Sequence, residues 1–144
     1  MLDIRRIDDR FAVAPQIAPE DVAAIKAAGY VAIVNNRPDH EEPGQPDGDA
    51  IRAAAEAAGL GYTAIPVTQA GFRHSQVTAM IDAIERADGP VLAYCRSGTR
   101  SCNLWALAGA GLGEDQDALV GKAAGAGYDL TNLRPLMDAV APPQ

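Results

Sequence analysis

Aromatic residues make up only 5% of this 144-residue chain, which has two cysteines, two histidines and one tryptophan. Cys95 and Cys102 cannot build the disulfide framework of a small secreted domain, so a reducing, cytoplasmic setting is expected. The histidines leave little for a metal. His40 stands among Asp39, Glu41 and Glu42, but no other His or Cys has zinc-like spacing to it. No metal and no cofactor is expected. Lys and Arg total 12 against 19 Asp and Glu, for a net charge of −7, and no basic run occurs. Without a basic face, nucleic acid is not expected as a partner. No segment approaches the ~20 apolar residues that span a bilayer. The opening MLDIRRIDDR has no apolar stretch after its charges, so neither a membrane nor a secretory signal is expected.

Hydrophobic residues make up 48% of the chain, enough for one domain with a single core rich in Ala, Val, Ile and Leu. Ile4–Ile7 and Phe11–Ala14 predict an opening hairpin. Pro19-Glu20-Asp21 predicts a helix start, with Gly29 as its C-terminal cap. Apolar runs at 30–34, 62–67 and 91–94 predict buried strands. They alternate with helices expected at 49–58, 75–87 and 98–110, followed by two more at 115–126 and 131–140. Ala141–Gln144 is expected to fray. Alternating strands and helices predict an α/β fold: a mostly parallel sheet of four or five strands covered on both faces. Ligands of such sheets sit beyond the carboxyl ends of the strands. Here those ends carry the loops after Val34, Val67 and Tyr94.

The last of these loops carries the chemistry. Residues 91–101 read VLAYCRSGTRS: an apolar strand, Cys95, a short glycine-containing loop, then a helix. Loop amides can turn inward as a nest for an anion, and the helix N-terminus adds partial positive charge. Arg100 adds a full charge and a planar fork suited to an oxyanion. Each favours the thiolate, the nucleophilic form of a cysteine. Gly98 permits the tight turn. Ser101 is placed to hydrogen-bond the sulfur or assist its departure. Arg96, Ser97, Gly98 and Thr99 are the expected cradle for a small anionic substrate. Because the acidic surface repels anions at long range, that substrate must be won by local contacts.

The CRSGTRS segment is similar to the loop of rhodaneses, whose cysteine carries sulfane sulfur as a persulfide. The Cys-x5-Arg loop of protein tyrosine and dual-specificity phosphatases is one residue longer than the Cys-x4-Arg found here. Further segments widen the resemblance: Asn36-Arg37-Pro38-Asp39, Gln45-Pro46-Asp47, Pro66-Val67-Thr68 and Leu104-Trp105-Ala106-Leu107. Together with YCRSGTRS they resemble the phosphatase-like domain of the β-lactamase-hydrolase-like proteins. That resemblance implies a dual-specificity-phosphatase-like fold. Such domains are described both as phosphatase-like and as sulfurtransferases, and some are fused to persulfide-processing metallohydrolases.

Dual-specificity phosphatases place an Asp general acid shortly after an Ile-Pro-Val-x strand end. Here Ile65-Pro66-Val67-Thr68 is followed by Gln69, which cannot act as an acid. Losing such an acid costs ~10²–10⁴ in rate when the leaving group is poor. Expulsion of sulfite or a thiolate needs little protonation. The shorter loop and Gln69 therefore tilt the sequence toward sulfur transfer from thiosulfate or a persulfide to an acceptor thiol. Hydrolysis of a phosphate ester through phosphocysteine is the alternative, and a non-catalytic anion or persulfide sensor the third reading. Asp39, Asp47 and His74 are the candidate acids, Asp39 or Asp47 alternatively orienting Arg100, and Arg37 is a candidate second cation near the substrate. Glu41 and Glu42 read as a solvated acidic loop. Cys102, seven residues after Cys95, reads as core packing or as a resolving thiol for Cys95. Trp105 reads as core or pocket wall.

Overall fold

The computed structural model describes residues 2–143; Met1 and Gln144, the two ends of the segments discussed above, lie outside the described residues. The chain opens with a hairpin of β1 (Arg5–Arg6) and β2 (Phe11–Ala14), paired antiparallel. Three more strands follow: β3 (Ala32–Asn35), β4 (Gly61–Ala64) and β5 (Val91–Tyr94). The sheet order is β1-β2-β5-β3-β4, with every pairing after the first parallel. This is the predicted α/β sheet, with β5 in the middle and all four of its residues buried.

Period-two alternation divides the core. Val13, Val34, Val91 and Ala93 face one way, into a cluster with α3 (His74–Arg86), α4 (Thr99–Gly111), α5 (Gln116–Gly125) and α6 (Arg134–Val140). Ala12, Ala14, Ile33, Leu92 and Tyr94 face the other way, toward α1 (Val22–Ala27) and α2 (Gly48–Ala57). Helix α4 is buried along most of its length, from Ser101 to Ala110 with only Asn103 partly exposed. Its small residues allow that. A Cβ on Gly109 would come within 2.8 Å of Leu119. Trp105 stacks on Phe11 with ring centroids 5.9 Å apart, so it belongs to the core.

Several boundaries differ from the sequence expectation: β1 covers only Arg5–Arg6 of the expected 4–7, and β3 begins at Ala32 and not at Tyr30. Three others differ for a backbone reason. The first helix begins as a 3₁₀ turn over Pro19–Asp21 before α1. It closes as expected at Gly29, whose φ is +101°, with Tyr30 N–H returning to the Ile25 carbonyl. Strand β4 stops at Ala64, short of the expected Val67. Pro66 has no N–H to offer a ladder. Ile65 and Val67 still donate to the carbonyls of Asn35 and Asn36, so the segment follows β3 out of the sheet. The final helix is split into a 3₁₀ turn at Thr131–Leu133 and α6, because Pro135 cannot bond back to Thr131. No helix among the described residues is long and apolar enough to cross a membrane.

Candidate active site

Cys95 immediately follows the central strand, at the carboxyl ends of β3, β4 and β5, where the topology predicts a ligand. Its N–H donates to the Ala14 carbonyl, extending the β2–β5 pairing by one residue. The residue is buried, and its Sγ accepts the Gly98 N–H at 3.1 Å. Gly98 makes this contact from the left-handed region, with φ +90°. Glycine is required there twice over. A Cβ would be strained by that φ and would lie 2.2 Å from the Tyr128 hydroxyl. Tyr128 occupies the underside of the loop, donating to the Ser97 carbonyl at 3.0 Å and accepting from Arg5 at 3.2 Å. From the other flank, Gln16 N–H donates to the Arg96 carbonyl. With its carbonyls held this way, the loop leaves amides free. Among the described residues, the N–H groups of Arg96, Ser97, Arg100 and Ser101 have no hydrogen-bond partner. They lie at the start of α4, 13 residues long, where the helix dipole adds positive potential.

Arg100 turns across the mouth of this loop. Its Nη1 donates to the Val67 carbonyl at 2.7 Å and to Glu41 Oε2 at 2.8 Å, and its Nη2 to Glu41 Oε1 at 2.8 Å. Glu41 is the main reason that Arg100 holds its proton more tightly than usual, against the opposing effect of burial, and the nearby Cys95 adds to it. The same contact, joined by Arg37, lowers Glu41 to about 2. Glu41 is thus a firm carboxylate at any neutral pH and cannot serve as a proton donor.

The remaining predicted residues are placed differently from the sequence expectation. Arg37 is not an open second cation. Its side chain is 1% exposed, and its three donating nitrogens go to Glu41, Gln16 and Glu42 at 2.9–3.1 Å. Asp39 accepts the Gly48 N–H at 2.8 Å, satisfying the first turn of α2 rather than facing the thiol. Asp47 flanks the same helix start as an exposed residue with no side-chain cap bond. His74 is exposed as the first residue of α3. None of the three hydrogen-bonds to the Cys95 loop. Ser101 is buried and sends its single proton to Asn36 Oδ1 at 2.8 Å, so it has none to give the sulfur. Asn36 in turn donates from Nδ2 to the Ile65 carbonyl and from its backbone to the Tyr94 carbonyl, tying three strand ends to α4. Cys102 is a free, fully buried thiol, pushed up to about 12 by burial, with Cys95 adding to the effect. It packs in the core as a neutral group.

Glu41, Asn36, Gln16 and Tyr128 are the site residues that the sequence reading did not assign. Glu41 stands four residues after Arg37, but no local pattern points to its partner Arg100, 59 residues later. A local sequence pattern does not reveal that Tyr128 meets Ser97, 31 residues earlier. The free amides and Arg100 frame a place for a small oxyanion beside a sulfur aligned by the Gly98 N–H, with Glu41 lying on the fork of Arg100.

The family described as the phosphatase-like domain of beta-lactamase hydrolase-like protein matches residues 3–112. A beta-lactamase hydrolase-like protein of Agrobacterium fabrum is 39% identical over 102 residues, covering 71% of this chain. The matched segment is 24% of that protein, so the chain spans about a quarter of this relative's length. A crystal structure from Neisseria meningitidis, provisionally assigned as a phosphatase, is 36% identical with a TM-score of 0.81. The match covers 95% of this chain and 97% of that one. A more distant fold neighbour is a cysteine-to-serine variant of P. aeruginosa TpbA in complex with phosphotyrosine. It has a TM-score of 0.63 and 18% identity, covering 94% of this chain and 80% of that chain.

Proposed function

The chain belongs to the phosphatase-like domain family of the beta-lactamase hydrolase-like proteins, and from that premise we propose that it is a cysteine-dependent hydrolase of small phosphate monoesters. The observation that carries this reading is the Cys95 loop itself. A sulfur held by the Gly98 N–H stands beside free amides and the Arg100 guanidinium, at the carboxyl end of a phosphatase-like sheet. The phosphotyrosine bound to the TpbA variant supports a phosphate ester as the ligand class for this fold.

In the first step the Cys95 thiolate attacks phosphorus. An S–P bond forms, the P–O bond to the leaving group breaks, and the loop amides and Arg100 take up the charge on the equatorial oxygens. The departing oxygen takes its proton from water. In the second step water attacks the phosphocysteine, releasing phosphate and restoring the thiolate. With none of Asp39, Asp47 and His74 hydrogen-bonded to the Cys95 loop among the described residues, the rate should fall steeply as the leaving group becomes more basic, and aryl phosphates should be much better substrates than alkyl phosphates.

The same shortage of a proton donor favours a second reading, sulfur transfer. There Cys95 attacks the outer sulfur of a donor such as thiosulfate, sulfite leaves without protonation, and an acceptor thiolate then takes the sulfur from the persulfide. A paired assay separates the two. One arm follows p-nitrophenyl phosphate hydrolysis and the other follows thiocyanate formed from thiosulfate and cyanide, each beside Cys95→Ser. Phosphate release that depends on Cys95 and exceeds thiocyanate formation is expected. Thiocyanate formation with negligible phosphate release would transfer the assignment to sulfur.

A further inference from the structure

The mouth of the Cys95 loop already faces an anion, supplied by the chain itself. Glu41 sets its two carboxylate oxygens against the two terminal nitrogens of Arg100, both at 2.8 Å. This is the forked geometry that a guanidinium offers to phosphate or sulfate. The pair is not sealed away: the Arg100 and Glu41 side chains keep 15% and 22% of their exposure, so a solute can reach them.

We propose that Glu41 is a tethered competitor for the anion site, which substrate must displace from Arg100, and that this competition selects dianionic over monoanionic ligands. The proposal rests on the reading of the Cys95 loop and Arg100 as the anion site. Three features of the geometry support it. Arg100 keeps its bond to the Val67 carbonyl when Glu41 leaves, so the guanidinium stays in place. Arg37 gives up its Nε bond to Glu41 but keeps Gln16 and Glu42, so the withdrawal costs one buried N–H its partner and leaves no unpaired buried charge. The backbone around Glu41 is held independently of its side chain: His40 and Gly44 turn at φ +64° and +81°, and Gln45 accepts the Glu41 N–H while donating to the Pro38 carbonyl. A change of side-chain rotamer alone then opens the site.

The charge preference follows from the exchange. A monoanion that replaces the carboxylate leaves the net charge of the site unchanged. It also competes with a group held at an effective concentration of millimolar or above. A dianion brings one more negative charge than the carboxylate to Arg100, whose partner Glu41 has left, while Arg37 and Arg96 stay paired with Glu42. Phosphate and sulfate should therefore enter where formate does not.

Calorimetry with inorganic phosphate and with formate tests this without any turnover. Glu41→Gln should bind phosphate at least about tenfold tighter than the wild-type chain, because the competitor is neutral. Formate binding should become measurable in that variant. In turnover the gain should fall on KM for p-nitrophenyl phosphate. An unchanged or weakened phosphate affinity would overturn the proposal, since Glu41 would then be aligning Arg100 for the ligand. The wild-type chain gives a readout that does not depend on the variant folding. Saturating sulfate should move the Glu41 carboxyl resonance in carbon NMR; sulfate binding that leaves it unmoved would also overturn the proposal. If the variant tightens phosphate while neither form hydrolyses p-nitrophenyl phosphate, the competitor stands and the hydrolase reading falls.

Discussion

Two loops meet over the carboxyl ends of the strands, and they are built in opposite ways. The one that follows β5 is short and bonded within itself around the thiol: Cys95 Sγ accepts the Gly98 N–H and Ser97 Oγ donates to Thr99 Oγ1, with Gln16 and Tyr128 holding its outer carbonyls. The one that follows β3, residues 36–47, is long and fixed by partners far along the chain. Asn36 reaches Ser101 and Ile65, Arg37 reaches Gln16, and Glu41 reaches Arg100. The bond to the sulfur itself is thus local, while the charge that surrounds it is specified by the tertiary fold. Substitutions in the first loop should damage chemistry outright, whereas those in the second should alter affinity and stability.

The largest expected effect is at the nucleophile. Cys95→Ser should lower turnover at least about a thousandfold while leaving phosphate binding measurable by calorimetry. Retention of phosphate binding with full activity would remove Cys95 from the mechanism. Next comes Gly98→Ala, which meets both a positive φ and the Tyr128 hydroxyl at 2.2 Å. It should cost about 1–3 kcal/mol in a denaturant melt and reduce turnover about a hundredfold. Removing that hydroxyl with Tyr128→Phe should recover part of the loss, so a double-mutant cycle should show coupling between the two positions. Strict additivity would contradict the proposed contact.

These two loops also differ in how far the sequence reveals them. VLAYCRSGTRS shows the strand, the left-handed glycine, the helix start and the residues framing the thiol, because each depends on neighbours a few positions away. The parallel sheet and its two-sided core follow from alternating apolar runs. The acidic loop is different. Asp39, Asp47 and His74 have the right chemistry for a proton donor, yet one satisfies a helix start and the other two are exposed away from the thiol. Arg37 has the right charge for a substrate contact, but its donors are consumed. Nothing in NNRPDHEEPGQPDG says that Glu41 folds onto an arginine 59 residues later. Side-chain pairing at that separation is set by where the strands end, which a local pattern does not encode.

Smaller effects belong to the second loop and to the core. Arg37→Met should remove the anchor of residues 36–47 and lower stability by about 1–3 kcal/mol in a thermal melt, leaving Glu41 and Gln16 with lost partners. A neutral melt would mean that the loop is held by Asn36 and Asp39 alone. Glu41 bears on acid stability as well. Its carboxyl is lowered from 4.5 to about 2 in the folded chain, so it contributes stability that is full above 4.5 and is lost as pH falls toward 2. Glu41→Gln should therefore flatten the acid-denaturation curve within that window, and an unchanged slope would refute the Arg100–Glu41 pair in solution. The smallest change expected is Cys102→Ala. It leaves a small cavity costing about 1 kcal/mol, with turnover preserved, because a neutral core thiol takes no part in the chemistry. Loss of turnover there would revive Cys102 as a partner of Cys95.

The central claim is that Cys95 carries the phosphoryl group, and rapid quenching tests it directly. The chain would be mixed with p-nitrophenyl phosphate, stopped in acid within the first turnover, digested and measured by mass spectrometry. One phosphoryl group on the peptide containing Cys95, absent from Cys95→Ser, is the predicted result. Steady phosphate release with that peptide never modified would contradict a phosphocysteine intermediate.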